Sequence, residues 1–399
     1  MSIFEGFLST PETLAAFGGH GIVAGMLRFE AALARAQAAE GLIPAEAAHS
    51  IAASCQVDLF DVAKIVRDSA RAGSVAIPLV RALTEAVGLF NPAAARHVHG
   101  GSTSQDVVDT AMALATRDAL AWIDADLVRA IQALLALAEA HADQPMLART
   151  LMQPASVTSL GLKCVDWAAP LVRGRLRLRA AAARALQLQL GGPVGTLAQM
   201  RGRGAAVRRR MAQDLGLADP GGSWHTQRDE WVALGCELGV VTGSLGKIAG
   251  DIALLGQGEV GEVGEPDEPG RGEATTMPHK RNPVASMVAL AAAQRAPQRV
   301  AGLLAAMVQQ QERALGPLQA EIAEWPQLVM SAHGSARALA TALPGLRIDA
   351  GRMRENIDRV RSGLERCAAD EWFSPALAAE AGALARAQVP ALRARLDVC

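Results

Sequence analysis

At 399 residues, half of them apolar, the chain can bury a sizeable core, and with no tyrosine and only seven phenylalanines it favours long helices over sheets of aromatic and β-branched residues. A formal charge of -1 excludes a global basic field, so neither nucleic acid nor an anionic membrane surface is an expected partner, and any anion binding must be local. No basic leader with an apolar core opens the chain and no run of about 18 uncharged apolar residues follows, so a soluble, cytoplasmic protein is expected.

Residues 1 to about 105 predict shorter helices, broken at Gly18-Gly19, Gly41, Pro44, Pro78 and Asn91-Pro92. From about Val107 to Ala142, Leu120, Ile123, Leu127, Ile131, Leu134 and Ala138 share one stripe, which predicts a helix roughly 50 Å long at 1.5 Å per residue. A second stretch, Ser156 to Leu190, is expected to stop at Gly191-Gly192. Asp229 to Gln257 carries the clearest seam, Leu234, Leu238, Val241, Leu245, Ile248, Ile252 and Leu255 at alternating steps of four and three.

Gly256 to Thr276, rich in glycine and acids, predicts a mobile surface loop that closes as a lid over Met277 to Pro283. Val284 to Leu315 is then expected as a helix with Asn282 as N-cap and Pro283 as first residue, and Gln319 to Ala342 as another, ended by Pro344 and Gly345. Pro170 and Pro297 should kink their helices. The predicted fold is all-α: an N-terminal helical domain (1–105), an elongated central long-helix bundle (106–345) and a small C-terminal helical domain (346–399). Its narrow apolar seams are more easily completed by further copies of the chain than by one alone. Cys55, Cys164, Cys236, Cys367 and Cys399 show neither CxxC nor zinc spacing and read as reduced packing residues.

Three polar clusters and a cationic segment stand out. His97 to Asp106 offers His99, Ser102, Thr103, Ser104 and Gln105 just before the long helix, where backbone N–H groups and hydroxyls suit a carboxylate; helix capping by Ser104 or Asp106 is the equally simple alternative. Arg149 to Pro154, with Thr150 and Gln153, is expected to open the next helix. Trp224 to Asp229 holds His225 and Gln227 ahead of the seam helix, and His225 has a side chain whose ordinary pKa lies near neutrality. Lys280, beside Asn282 and a predicted helix N-terminus, suits one anionic oxygen.

These clusters, in this order, resemble the three active-site regions of the fumarase/aspartase superfamily. Met277-Pro278-His279-Lys280-Arg281-Asn282-Pro283 matches the second half of that superfamily's GSSxMPxKxNP region completely. Met26 to Ala36, Thr103 to Asp106, Gly195 to Ala198 and Trp224 to Asp229 look like its 3-carboxy-cis,cis-muconate cycloisomerase branch, and the likeness runs from about Phe4 to Leu343. It implies a homotetramer with no metal or organic cofactor, active sites assembled from three subunits, and a small polycarboxylate substrate cyclised to a lactone in protocatechuate breakdown. Ser102, Thr103, Ser104, Gln105, Thr150, Gln153, Gln227, Lys280 and Asn282 would then bind substrate.

Four positions depart from the pattern. Leu151 stands where argininosuccinate and adenylosuccinate lyases carry histidine and the cycloisomerases usually tryptophan; Gly100 also replaces a usual tryptophan, and Glu273 a glycine. Ala274 stands where the loop serine that transfers a proton is expected. Thr275 is the expected substitute, with Thr276, His99, His225 and His279 as the other groups able to move a proton. A β-eliminating lyase of a fumarate-type diacid and a catalytically silent oligomer are the competing expectations.

Overall fold

The apolar periodicities become helices, and the computed structural model describes residues 3–396 of them, leaving Cys399 outside. Five long helices dominate: Ser104–Ala140, Leu160–Ala185, Asp229–Leu255, Val284–Ala306 and Pro317–Ala342. Two compact units share them, one of Met1–Ala121, Leu178–Cys236 and Gln298–Met330, the other of Trp122–Arg177, Glu237–Pro297 and Ser331–Cys399. The division cuts each long helix within its length. Among the described residues the fold is all-α apart from one antiparallel hairpin, Pro145–Thr150 with Gln153–Ser159, and one short antiparallel pair of strands distant in sequence, Val263–Gly264 with Arg347–Ile348.

All seven seam residues of Asp229–Leu255 are buried, from Leu234 at 0% exposure to Leu255 at 6%. This helix is long and apolar enough to cross a membrane by length and composition, and half of its most apolar window is buried. The other side still exposes Val240 and Leu254.

Several boundaries differ from the sequence expectation, each for a local reason. The stretch after Ser156 starts as a strand, because Gln153 to Ser159 pairs with Pro145 to Thr150; its helix begins only at Leu160 and ends at Ala185. Arg149 to Pro154 is therefore a hairpin tip and not a helix start. The helix expected to reach Leu315 stops at Ala306, where the polar run Gln309 to Arg313 offers no apolar face to pack. Gly18-Gly19 opens the 21-residue helix Gly19–Ala39 rather than breaking one, and Pro78 sits in the first turn of Ala76–Phe90, where its missing N–H costs nothing.

The segment expected as a mobile surface loop, 256–276, is anchored at two of its residues. Glu262 is fully buried, accepts both arms of the Arg149 guanidinium at 2.7 and 3.0 Å and takes a further bond from Asn356 at 2.7 Å. Glu265 accepts from the backbone N–H groups of Ala285 and Ser286 at 2.9 and 2.7 Å, so it caps Val284–Ala306 in place of the expected Asn282. Residues 266–281 form the actual excursion between these anchors.

One buried carboxylate in the second unit sets an acid limit on stability. Asp126, 2% exposed, is bonded by Arg129, by Arg337 at 2.8 Å and by His333 at 3.1 Å. Burial alone would raise its pKa, but these three donors hold it down at about 2. A folded pKa below the unfolded value contributes stability above about pH 4 that is lost as pH falls toward 2. Asp126→Asn is expected to flatten the decline in urea midpoint across that window, and an unchanged slope would contradict it.

Candidate active site

In the first unit, the segment 97–106 is held by the carboxylate of Asp106, 0% exposed. It accepts from Thr103 N at 3.1 Å, from Gly191 and Gly192 N at 2.9 Å each, and lies 2.7 Å from His225 Nε2. One side chain thus closes the N-terminus of Ser104–Ala140 and pins two other segments to it. At Gly191 a Cβ would lie 2.6 Å from Ser223 Oγ and 2.9 Å from His225 Cε1, so the approach requires glycine. His225 is 4% exposed with Nε2 committed to Asp106.

Behind this lies a buried ionic network. Arg228 forks onto Asp109 at 2.8 and 3.2 Å and onto Glu321, at 3.1 Å from its Nε and more closely from one Nη; all three side chains are at most 2% exposed. Trp224 lies over the guanidinium at 4.4 Å, and Trp231 stacks on Trp325 at 3.9 Å. Burial opposes the charge of Arg228, yet the two carboxylates push its pKa above the ordinary arginine value. Burial dominates at Glu321 and pushes its carboxyl up despite Arg228. Gln105 is absorbed into the same network: it donates to Asp109 and to His225 O and accepts from Arg313 Nε at 3.0 Å, which occupies the whole amide.

His99 differs from His225 in being reachable. Its backbone is left-handed, φ 60°, its side chain is 19% exposed, and Nδ1 lies 2.6 Å from Glu30 Oε1. Nε2 makes no hydrogen bond among the described residues. Burial alone would lower its pKa, but the hydrogen bond and charge of Glu30 and the charge of Asp106 outweigh it, and the net shift is upward. Ser102, Thr103 and Ser104 follow, all partly exposed, while Gln227 is exposed and donates to Ser223 O at 3.2 Å.

In the second unit the hairpin turn displays Thr150, Leu151, Met152 and Gln153, which pairs Thr150 with Gln153. Leu151 and Met152, at φ 48° and 64°, are 97% and 68% exposed. Two apolar side chains held in a left-handed turn and offered to solvent are costly alone. Beside this turn, Arg149 ties the hairpin to Glu262. Asn282 donates from both its backbone and its side chain to Gly272 O, at 2.8 and 3.1 Å. Thr275 and Lys280 are exposed, and neither side chain has a partner among the described residues. No group of three or more His, Cys, Asp or Glu side chains among the described residues could hold a metal ion.

Sequence reasoning missed Glu30, Asp109, Glu262, Glu265 and Glu321. Glu30 had a readable signal, since it falls among Met26, Leu27, Phe29 and Leu33 on a buried helix and so needs a partner. The others act through long-range pairs that no local spacing announces.

A family profile described as lyase matches residues 9–297. A 3-carboxy-cis,cis-muconate cycloisomerase of Bradyrhizobium diazoefficiens is 46% identical over 351 residues, 88% of this chain and 78% of that protein. One of Pseudomonas aeruginosa is 45% identical, over 89% of this chain and 77% of that protein. The crystal structure of 3-carboxy-cis,cis-muconate lactonizing enzyme from Pseudomonas putida superimposes with a TM-score of 0.84 at 38% identity, covering 100% of this chain and 90% of that one.

Proposed function

Since the chain belongs to the lyase family, within the fumarase/aspartase superfamily, and is an intramolecular lyase by its relatives, we propose that it converts 3-carboxy-cis,cis-muconate into 4-carboxymuconolactone. The observation that carries this reading is the match at 46% and 45% identity to two cycloisomerases over most of the chain. It is joined by a reachable histidine held by a buried carboxylate and an unpaired lysine on a clamped loop.

In the reaction one carboxylate oxygen bonds to a carbon of the conjugated double bond, the π electrons move toward the neighbouring carboxylate, and the carbon alpha to it takes a proton. The trianion becomes a dianionic lactone. Because the bond forms within one molecule, most of the catalytic work is orientation and stabilisation of the charge on the conjugated carboxylate. Lys280 supplies a cation, and Ser102, Thr103 and Ser104, with Thr150 and Gln153, supply donors for the remaining carboxylates. His99 delivers the proton from Nε2 and recovers it from water. Thr275 makes no side-chain hydrogen bond to a base among the described residues and serves as a carboxylate donor, while His225 and Gln105 hold the segment in place.

Several copies complete the site in this reading, as a homotetramer. The exposed Leu151 and Met152 at the strained hairpin tip, and the exposed Val240 and Leu254 of the seam helix, are the surfaces that assembly would cover. A cytoplasmic place in protocatechuate breakdown follows from the substrate.

The test is to add purified protein to 3-carboxy-cis,cis-muconate, follow loss of diene absorbance and identify the product by mass and NMR. Lactone supports the reading. Release of a fumarate-type diacid from succinate-like compounds with no lactone would replace it by an eliminating lyase, and carboxylate binding without turnover by a silent oligomer.

The lid clamp gives a further expectation. Gly272 sits at φ 70°, and a Cβ there would lie 2.3 Å from Asn282 O, the backbone two residues after Lys280. Gly272→Ala should therefore lower kcat by about tenfold or more through misplacement of Lys280 while leaving the urea midpoint nearly unchanged. Normal kcat would show that the clamp does not set the lysine.

A further inference from the structure

We propose that Glu30 is the positioning residue for His99: from a site closed to water it takes the Nδ1–H, fixes the ring plane and leaves Nε2 as the only ring nitrogen offered to substrate. The inference rests on the reading of His99 as proton donor.

Glu30 comes from the middle of Gly19–Ala39 and its side chain is 0% exposed, so the carboxylate is shielded from bulk solvent. Its Oε1 lies 2.6 Å from His99 Nδ1, while Oε2 is buried with no hydrogen-bond partner among the described residues. A buried carboxylate with one oxygen spent on a histidine and the other unsatisfied is costly as mere packing, and it persists where the charge has a use. Seven residues on, Gln37 donates to Gly100 O at 2.6 Å, so the same helix grips the residue after His99. The left-handed backbone of His99, at φ 60°, is held between these two contacts.

The charged and titratable groups around the pair are few. Asp106, from Ser104–Ala140, adds negative potential at His99. Cys55, after Ala45–Ser54, lies close enough to Glu30 and Arg35 to feel both charges, and burial pushes its thiol up to about 12, so it stays neutral. Arg96 Nε contacts His97 rather than His99. Glu30 is therefore the nearest negative charge to the ring and the one that sets its direction. With Nδ1–H committed, the imidazolium can lose its proton only from Nε2, which is the behaviour a directed acid requires.

The experiment compares wild type with Glu30→Gln and Glu30→Asp. Glutamine keeps an oxygen for Nδ1–H and removes the charge; aspartate keeps the charge at shorter reach. Two readouts are taken: the His99 ring titration and tautomer by nitrogen-15 NMR, which needs no substrate, and the pH profile of kcat on 3-carboxy-cis,cis-muconate. In Glu30→Gln the His99 inflection is expected to move toward acid and the alkaline limb of kcat to move with it. The loss should be about tenfold or more at pH 8 and smaller at pH 6, with KM little changed because Glu30 does not touch substrate. Glu30→Asp should restore part of the limb, and it carries the test alone if Glu30→Gln fails to fold.

A folded Glu30→Gln whose His99 titration and tautomer match wild type overturns the proposal. If the titration moves but the kcat profile does not, Glu30 still positions His99 and the assignment of His99 as proton donor fails.

Discussion

Replacing Arg228 with methionine is expected to cost about 3–5 kcal/mol of folding stability, a large share of the roughly 5–15 kcal/mol available to a folded protein. The fork of Arg228 supplies the countercharge to both Asp109 and Glu321, and none of these three side chains is more than 2% exposed. Methionine fills the volume and leaves two carboxylates facing each other without water. They respond by holding protons, and burial has already raised Glu321 with the arginine present. Because the folded pKa values in the variant lie above the unfolded ones, the penalty should be smallest below the ordinary carboxylate range near about 4 and grow as pH rises above that range, until the raised folded values are passed. Urea unfolding at pH 7 and pH 4 measures both parts. A loss under about 0.5 kcal/mol at pH 7 would mean that the network does not hold the segments that carry His99 and His225.

Lys280→Met is expected to lower kcat by about 10²–10³-fold, the range seen when one group stabilising a developing anion is removed. The lysine is exposed and its ammonium has no partner among the described residues, so its loss should leave the unfolding midpoint where it was. That separation matters: Arg228→Met is a stability variant and Lys280→Met a turnover variant. Near-normal kcat in folded Lys280→Met would remove this lysine from the site and leave the carboxylates to hydroxyl and amide donors alone.

Helix positions were legible because burial enforces their periodicity: the Leu234 to Leu255 seam is buried throughout, as its spacing required. Failures fell where a distant partner decides local structure. Ser156 to Ser159 joins a strand because Pro145 to Thr150 lies opposite, and Asn282 gives up the cap because Glu265 reaches Ala285 and Ser286 first. Among the site candidates, a loop histidine in sequence looks the same whether it is sealed or presented. Only the structure distinguishes His225, closed on Asp106, from His99, held by Glu30 with its other nitrogen open. The Lys280 segment carried a local signal in sequence, since Pro278 and Pro283 restrict its backbone.

The most direct measurement is turnover of 3-carboxy-cis,cis-muconate in deuterium oxide, with the product examined by NMR. Enzymatic lactonisation by a fixed proton donor predicts one deuterium at the carbon alpha to the carboxylate, in a single diastereomer. No lactone, or deuterium scattered over both faces, would contradict an oriented acid and with it the proposed cycloisomerase.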